Sequence, residues 1–145
     1  MRATTRADVI RVCKEMWERG REELSALGVH PADWLYSWEQ RIQRGDAVTF
    51  DCAILGWDWE DKETVSTAFQ ASADFDRRGR QITREMRREI PRLMKARGVK
   101  RCHVYSLCVT EDAEKWFRLL GFQPDPNYIG QKFGPYTMRR FWREA

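Results

Sequence analysis

The chain has 145 residues, of which 42% are hydrophobic and 33% are charged, and its formal net charge is +4. Seven tryptophans and seven phenylalanines exclude a disordered chain, and the length suits one domain with a sizeable core, so we predict a single domain over residues 1–145. No apolar run approaches the roughly 20 residues that span a bilayer. The charged first segment lacks the apolar stretch of a secretory signal, so we expect a cytoplasmic protein.

Helical spacing of apolar residues characterises the first third of the chain. Thr5 followed by Asp8 is a capping pattern that begins a helix, and the apolar positions after it extend the prediction to Gly28. A second helix is predicted to begin at Pro31, because proline is favoured in the first turn, and to end at Gly45.

The apolar period then changes from helical spacing to alternation, which predicts strands. Residues 47–59 indicate two strands with a break near Asp51, and a third strand is predicted over 65–71. A long helix is predicted over 79–97, with Pro91 inside it.

The last third of the chain alternates between strand and helix patterns. A strand is predicted over 101–109, a helix over 112–120, and two further strands near 128–129 and 136–142. Consecutive strands followed by helical crossovers favour a mixed α/β sheet.

Positive charge is concentrated in one segment. Residues 77–101 contain eleven Lys and Arg residues but only two acidic ones, Glu85 and Glu89, whereas acidic residues outnumber basic ones in the rest of the chain. Such a segment attracts polyanions, either a nucleic acid or a phosphorylated cofactor. The alternative is a helix face that is simply solvated.

The segment Arg78-Gly79-Arg80-Gln81-Ile82-Thr83 lies between a predicted strand and the long helix. Glycine permits a tight turn, and the unpaired N–H groups at a helix start bind phosphate. We therefore predict a pyrophosphate site on the N–H groups of about residues 79–83.

The cysteines indicate neither a metal site nor a disulfide framework. Cys13, Cys52, Cys102 and Cys108 contain no C-x-x-C pair. Cys102 and the adjacent His103 would point to opposite faces of a strand. We predict buried cysteines and no metal.

Two segments together resemble the Gcn5-related N-acetyltransferase (GNAT) family. Residues 78–83 lie on the family's cofactor loop, Arg/Gln-x-x-Gly-x-Gly/Ala. The family's later pattern, Asn-x-x-Ala-x-x-x-Tyr-x-x-x-Gly-Phe, falls on Thr110, Ala113, Phe117, Gly121 and Phe122. The resemblance implies an α/β fold with a mixed, mostly antiparallel central sheet of 6–7 strands and about four flanking helices.

The resemblance also implies acetyl-CoA as co-substrate and transfer of its acetyl group to an amine of a small molecule or protein. The sheet would open between the strand before the loop and the strand at 101–109, and the acyl group would point into that opening. The residues that the resemblance assigns to cofactor binding are Ser72, Ala73, Arg78, Gly79, Arg80, Gln81, Ile82, Thr83, Thr110, Ala113 and Phe117.

Three departures from the family pattern count against a working enzyme. Gln81 and Thr83 replace loop glycines, and Thr110 replaces an asparagine. Phe117 occupies the position of a tyrosine that often protonates the leaving thiolate in the family. Phenylalanine has no proton to give, so another group acts or the chemistry is lost.

Candidate catalytic residues lie near the predicted strand ends. Glu60 belongs to an acidic turn over 58–63, where family members place a carboxylate or an ordered water. Ser106 and Cys108 share one face of the strand over 101–109, and Tyr105 lies on the other. Glu60, Ser106 and Cys108 are the candidates, and the sequence does not choose among them.

Three functions stay open. The first is an N-acetyltransferase that binds CoA and an amine or protein acceptor. The second is a non-catalytic protein, because the chain also resembles GNAT-like internal virion proteins of short-tailed bacteriophages, which would act with an assembly partner in the virion or the host cytoplasm. The third is nucleic-acid binding through the basic segment, which is the least expected because no recognised motif is present and the rest of the chain is acidic.

Overall fold

The computed structural model describes residues 1–107 and 111–145. The strands are β1 (Arg2–Ala3), β2 (Ala47–Phe50), β3 (Ala53–Trp59), β4 (Thr64–Ala71), β5 (Arg101–Ser106), β6 (Gln123–Pro124), β7 (Lys132–Phe133), β8 (Tyr136–Thr137) and β9 (Arg139–Glu144). The helices are α1 (Arg6–Lys14), α2 (Glu18–Ala26), α3 (Pro31–Gln43), α4 (Phe75–Arg97) and α5 (Glu111–Leu119).

Seven strands form one sheet in the order β1-β2-β3-β4-β5-β9-β6, and β7 pairs with β8 separately. The predicted mixed, mostly antiparallel α/β fold is therefore confirmed. β4 and β5 are parallel, with a register that runs from Thr64 opposite Arg101 to Thr67 opposite Val104. β9 runs antiparallel to β5 along all six residues of that strand. Parallel neighbours cannot be joined by a tight turn, and α4 provides the crossover.

The chain forms two compact units. Met1–Asp58 with Ala68–Glu85 make the first, and Trp59–Thr67 with Met86–Ala145 make the second. The core cluster of the first unit is Val9, Val12, Met16, Trp34, Trp38, Ala47 and Ile54. Buried apolar residues of the second unit include Ile90, Met94, Val99, Cys102, Phe117 and Phe141. The single domain over residues 1–145 stays a prediction.

Several local signals in the sequence are confirmed. Thr5 caps α1 in a reciprocal capping box with Asp8, and His30 precedes Pro31 as the cap of α3. The break between β2 and β3 falls at Asp51, whose φ of 54° lies in the left-handed region that aspartate tolerates better than most residues.

The single helix predicted from Thr5 to Gly28 is wrong, because the structure has two helices there. α1 ends at Lys14 and α2 begins at Glu18. Between them, the Trp17 N–H group donates to the Ala71 carbonyl oxygen at 2.8 Å, so the backbone leaves the helix to bond to the end of β4.

The start of the long helix at residue 79 is also wrong, because α4 begins at Phe75. The N–H groups of residues 75–77 bond to carbonyl oxygens three residues earlier, at 3.0 to 3.3 Å. The buried Phe75 ring lies 4.9 Å from Trp17 and 5.6 Å from Phe69, centroid to centroid, which anchors this turn. The N–H groups of residues 79–83 lie beyond the first helical turn and bond within the helix. They are therefore not the free donors that we predicted for a pyrophosphate.

The strand predicted at 128–129 is wrong as well. Those residues are irregular and follow a turn at 126–127, which begins at Asp125, whose carboxylate accepts a hydrogen bond from the Asn127 N–H group at 3.1 Å. Such a turn is typical of aspartate, whose side chain bonds to the backbone two residues on. Of the strand predicted over 101–109, β5 covers 101–106, and 108–110 lie outside the described residues.

Asp8 is a buried carboxylate that connects β1, α1 and β2. Arg2 donates to it at 2.6 Å, the Thr5 N–H group at 2.9 Å and the Thr49 hydroxyl at 3.3 Å. The Arg2 hydrogen bonds, opposed by burial and assisted by Thr5, hold the pKa of Asp8 well below its usual value. The folded protein therefore keeps this carboxylate charged into the acid range.

We expect the free energy of unfolding to fall as the pH drops below about 4. A group whose pKa is lower in the folded state stabilises the fold above its unfolded pKa, and this stabilisation is lost as the pH falls towards the folded pKa. Asp8→Asn is expected to remove about 2 kcal/mol at pH 7 and to flatten this pH dependence. Urea unfolding at pH 7 and pH 3 tests it, with the exposed Asp33→Asn as control. If the Asp8→Asn variant kept the wild-type pH dependence, the loss of stability at low pH would have to come from another carboxylate.

Candidate active site

Glu60 lies in the turn between β3 and β4 and accepts two hydrogen bonds from β5. One carboxylate oxygen lies 2.7 Å from His103 Nδ1, and the other accepts the Tyr105 hydroxyl at 2.7 Å. The turn is held by the Asp61 carboxylate, which accepts the Thr64 N–H group at 2.8 Å. Residues 103 and 105 share one face of β5 because strand residues alternate. The turn and the strand together place one carboxylate against two polar side chains.

The hydrogen bonds around His103 indicate the tautomer that carries a proton on Nδ1. Arg101 Nε donates to His103 Nε2 at 2.7 Å, and a guanidinium cannot accept a hydrogen bond. Nε2 is therefore unprotonated, and Nδ1–H donates to Glu60, an assignment that follows from the hydrogen-bond network. The His103 ring is buried, with 7% of the residue exposed. Arg101 thus fixes the imidazole, and the imidazole fixes the Glu60 carboxylate.

A second acidic residue, Asp125, neutralises the arginines of the cluster. Its side chain is 4% exposed and pairs with Arg140 at 2.7 Å and with Arg101 at 3.4 Å. Burial disfavours the charged form, but hydrogen bonds from Arg140 and Asn127 outweigh it and lower the pKa of Asp125. In contrast, the donors to Glu60 are an imidazole and a phenol, and 32% of the Glu60 side chain is exposed. Glu60 is therefore the more accessible of the two carboxylates.

Tyr105 donates the second hydrogen bond to Glu60. Burial and its hydrogen bond to Glu60 raise the pKa of the Tyr105 phenol, so it holds its proton at neutral pH. Its ring meets the Tyr128 ring edge-on at 5.5 Å, and Arg140 stacks over Tyr128 at 4.8 Å. A base and an acid that share one hydrogen bond can take a proton from one substrate atom and give a proton to another.

The candidate catalytic residues of the sequence analysis separate in the structure. Glu60 joins the cluster. Ser106 is buried, with 5% exposed, and alternation places it on the face of β5 opposite Tyr105. Cys108 and Thr110 lie outside the described residues. Sequence reasoning missed His103 as a partner of Glu60, although three polar residues on one face of a mostly apolar strand were the available signal.

Ser72 and Ala73, predicted beside a pantetheine arm, form the turn from β4 to α4. Their N–H groups donate to the Cys52 carbonyl oxygen at 2.9 Å and the Glu15 carbonyl oxygen at 2.8 Å. Ser72 is buried, with 2% exposed, and Ala73 is exposed. The backbone donors of this turn are used within the protein.

The predicted loop over 78–83 forms early turns of α4, with members on both its solvent and core sides. The exposed members are Arg78, Arg80 and Gln81. Ile82 is buried in the core, with 1% exposed. Arg78 pairs with Asp51 at 2.7 Å, and the Thr83 hydroxyl donates to the Gly79 carbonyl oxygen at 2.6 Å.

Gly79 lies in a regular part of the helix, and its φ is not positive. A Cβ added there would find its three nearest atoms on the Phe75 ring at 3.5 to 3.8 Å, which is ordinary van der Waals contact. The tight turn predicted at this glycine is therefore wrong. Glycine inside a helix is about 0.5–1 kcal/mol less stable than alanine. Neither the backbone conformation nor the packing requires a glycine at this position.

Phe117 and Ala113, predicted near the cofactor, lie on α5. Ala113 is partly buried, and Phe117 is 9% exposed, with its ring 4.8 Å from Phe141 and 5.5 Å from Trp116. Phe141 lies opposite Val104 in the sheet, next to the pair of Tyr105 and Arg140. Alternation therefore puts the Phe117 contact and the Tyr105 cluster on opposite faces of β5 and β9.

Across residues 1–107 and 111–145, no cluster of three or more His, Cys, Asp or Glu side chains is arranged to hold a metal ion. In the same ranges, no helix combines the length and the apolar character needed to cross a membrane.

Comparison with known proteins gives structural matches without sequence matches. No protein-family model and no curated protein sequence matches the chain. The ribosomal-protein-alanine N-acetyltransferase of Brucella melitensis superposes with a TM-score of 0.69 at 14% identity, covering 99% of this chain and 98% of that one. Ard1 of Thermoplasma volcanium gives 0.69 at 10% identity, with 99% and 95% covered.

A GNAT-superfamily phosphinothricin acetyltransferase from Sinorhizobium meliloti, in complex with acetyl-CoA, gives a TM-score of 0.66 at 12% identity, with 99% and 86% covered. These likenesses show that the chain has the GNAT fold. None of the three structures is described as a bacteriophage protein, so that part of the resemblance stays a prediction.

Proposed function

We propose that the protein is an acetyl-CoA-dependent N-acetyltransferase, acting as a single cytoplasmic domain, in which Glu60 is the base and Tyr105 the acid. The observation that carries the proposal is the arrangement of Glu60, His103 and Tyr105, joined by two hydrogen bonds of 2.7 Å. The fold supports it, because one structure of the same fold contains acetyl-CoA. The pairing of β5 with β4 ends at Val104, and Tyr105 is the next residue. The resemblance places the acyl group in the opening between these two strands.

The cluster balances the protons of acetyl transfer. A neutral amine attacks the thioester carbonyl, so that a C–N bond forms and the C–S bond breaks. Glu60 takes the proton from the attacking nitrogen, and Tyr105 gives its phenol proton to the leaving sulfur. The proton on Glu60 then passes to the Tyr105 oxygen along their shared hydrogen bond, which restores both groups. Tyr105 thereby supplies the proton that Phe117 cannot.

The first turns of α4 fit the diphosphate of CoA through side chains. Arg78 and Arg80 are exposed cations on either side of Gly79, which has no side chain. Arginine suits phosphate because its planar donors bond in pairs. The sequence also assigns cofactor contacts to a further set of residues, and these contacts belong to the same proposal: Ser72, Ala73, Gln81, Thr83, Thr110, Ala113 and Phe117. Ile82 was assigned to the same set, but it is buried and would support this turn without touching the cofactor.

Titration of acetyl-CoA into the protein at about 0.15 M salt tests whether the cofactor binds. The Gly79→Ala variant tests whether it binds at the start of α4. We expect saturable binding by the wild type. The alanine is expected to stabilise the free protein by about 0.5–1 kcal/mol, because glycine is a poor helix former, and to weaken acetyl-CoA binding about tenfold or more, because the proposed diphosphate contact lies at Gly79. Isothermal calorimetry and urea unfolding measure the two effects.

Gly98→Ala is the matched control. Gly98 follows the same helix with a φ of +68°, so alanine there is expected to destabilise the fold without changing acetyl-CoA binding. No binding by the wild type would refute the acetyltransferase, whereas unchanged binding by Gly79→Ala would refute the placement of CoA at this helix.

A second candidate is a non-catalytic GNAT-fold protein, including the bacteriophage virion or host-directed factor that the sequence suggests. The observation in its favour is Phe117, a core side chain at the position of the family's tyrosine. A protein that fails to bind acetyl-CoA would favour this candidate, and a search for a protein partner would follow.

A further inference from the structure

The solvent side of α4 carries a row of cations that the proposed function does not use. We call this row the basic face; its residues are Arg77, Arg84, Arg87, Arg88, Arg92 and Lys95, all exposed. At 3.6 residues per turn they fall within an arc of about 140°, and at 1.5 Å per residue the row is about 27 Å long. The basic face is therefore a narrow stripe of positive charge along one helix.

The orientation of the basic face is fixed by the opposite side of the helix. Ile82, Met86, Ile90 and Met94 are each no more than 2% exposed. Rotation of α4 would expose these side chains to water, which is unfavourable because each buried apolar side chain contributes about 1.5–3 kcal/mol. The cations therefore stay directed at solvent in the folded protein.

Acidic residues neutralise the basic face incompletely. Arg88 and Arg92 share Glu89, at 2.8 and 3.3 Å, and Arg77 pairs with Asp74 in an exposed contact of 3.3 Å. Exposed pairs of this kind contribute little stability and are readily exchanged. Within the described ranges, Arg84, Arg87 and Lys95 take part in no ion pair.

The composition of the basic face favours a phosphate backbone over a protein partner. Protein interfaces have an apolar core, whereas the other exposed positions in this arc of the helix are Arg80 and Gln81, which are both polar. Five of the six cations are arginines, whose planar donors match phosphate. A length of about 27 Å corresponds to about eight phosphates of one duplex strand at 3.4 Å spacing.

We propose that the basic face binds the sugar-phosphate backbone of nucleic acid without regard to base sequence. The acidic excess elsewhere in the chain argued against a nucleic acid that wraps around the protein. A backbone lying along one helix face needs only the basic face itself, which removes that objection.

Fluorescence anisotropy with two unrelated, dye-labelled 20-base-pair DNA duplexes tests the proposal between 50 and 200 mM KCl. We expect equal affinity for both sequences and a loss of about 10³-fold across this salt range if all six cations contact phosphates. The triple variant Arg84→Glu, Arg87→Glu, Lys95→Glu is expected to bind at least about 100-fold more weakly and to lower the salt slope by about three.

The matched control reverses three exposed lysines that take part in no ion pair in the described ranges, Lys14→Glu, Lys62→Glu and Lys115→Glu. It changes the net charge equally and is expected to retain most of the affinity. Thermal unfolding of both variants checks that they fold. Equal losses in the two variants, or no binding by the wild type at 50 mM salt, would overturn the proposal. So would displacement of the DNA by poly-L-glutamate at the same charge concentration, which would indicate an acidic polypeptide instead.

Discussion

Glu60→Gln is expected to lower the rate of acetyl transfer by about 10²–10⁴-fold, the usual contribution of a general base, and to leave acetyl-CoA affinity unchanged. Glutamine keeps the size of the side chain, and its Oε1 still accepts the hydrogen bond from His103 Nδ1, while its amide group donates to the Tyr105 oxygen. It cannot take a proton from the attacking amine. The loss should therefore fall on turnover, with substrate binding and stability nearly intact.

The release of free thiol from acetyl-CoA measures this rate. A small-molecule primary amine and a peptide with a free N-terminus serve as acceptors, the two classes of amine that the proposal includes. Glu63→Gln is the matched control: Glu63 lies in the same turn, 54% of its side chain is exposed, and it pairs with Lys100 at 2.6 Å. Equal turnover in Glu60→Gln and Glu63→Gln would remove Glu60 from the mechanism.

Trp38→Ala is expected to lower the free energy of unfolding by about 3–5 kcal/mol, the range for removal of a large buried aromatic side chain. Trp38 is 1% exposed, its ring lies 6.1 Å from Trp34, and the Arg41 guanidinium stacks over it at 4.8 Å. Gly56 lies against the side chains of Trp38 and Arg41, and a Cβ at this position would fall 2.9 Å from the Trp38 ring. This close packing leaves little room for the core to collapse around a cavity.

Urea unfolding measures the Trp38 effect. Tyr36→Ala is the control, because Tyr36 lies on the same helix but is 62% exposed. We expect it to change stability by less than about 0.5 kcal/mol. If Trp38→Ala lowered the free energy of unfolding as little as Tyr36→Ala, the packing around Trp38 would contribute little to stability.

Local signals in the sequence predicted the elements that local physics determines. The Thr5 cap, the start of α3 at Pro31 and the strand break at Asp51 depend on neighbouring residues, and the structure has all three. The extra turn at the start of α4 depends instead on Phe75, whose ring meets Trp17 from far along the chain. Propensity alone does not reveal such a contact.

The candidate site was likewise predictable only where it depends on local sequence. Glu60 was recognised as a candidate from its acidic turn, but the residues that orient it come from β5, about forty positions later. Arg101, His103 and Tyr105 alternate with Cys102 and Val104, so the pattern of one polar face was present in the sequence. Which carboxylate meets that face depends on the register of β4 against β5, which no local pattern determines.

The placement of β9 between β5 and β6 has a consequence for local unfolding. β6 follows α5 in the chain, but it is joined to the sheet by pairing with β9, with Gln123 opposite Trp142 and Pro124 opposite Phe141. A fluctuation that detaches β9 from β5 therefore releases β6 with it, because β6 then has no neighbour that is still attached. β6 and β9 thus form one cooperative unit of subglobal opening, whereas the parallel pair of β4 and β5 can persist without them.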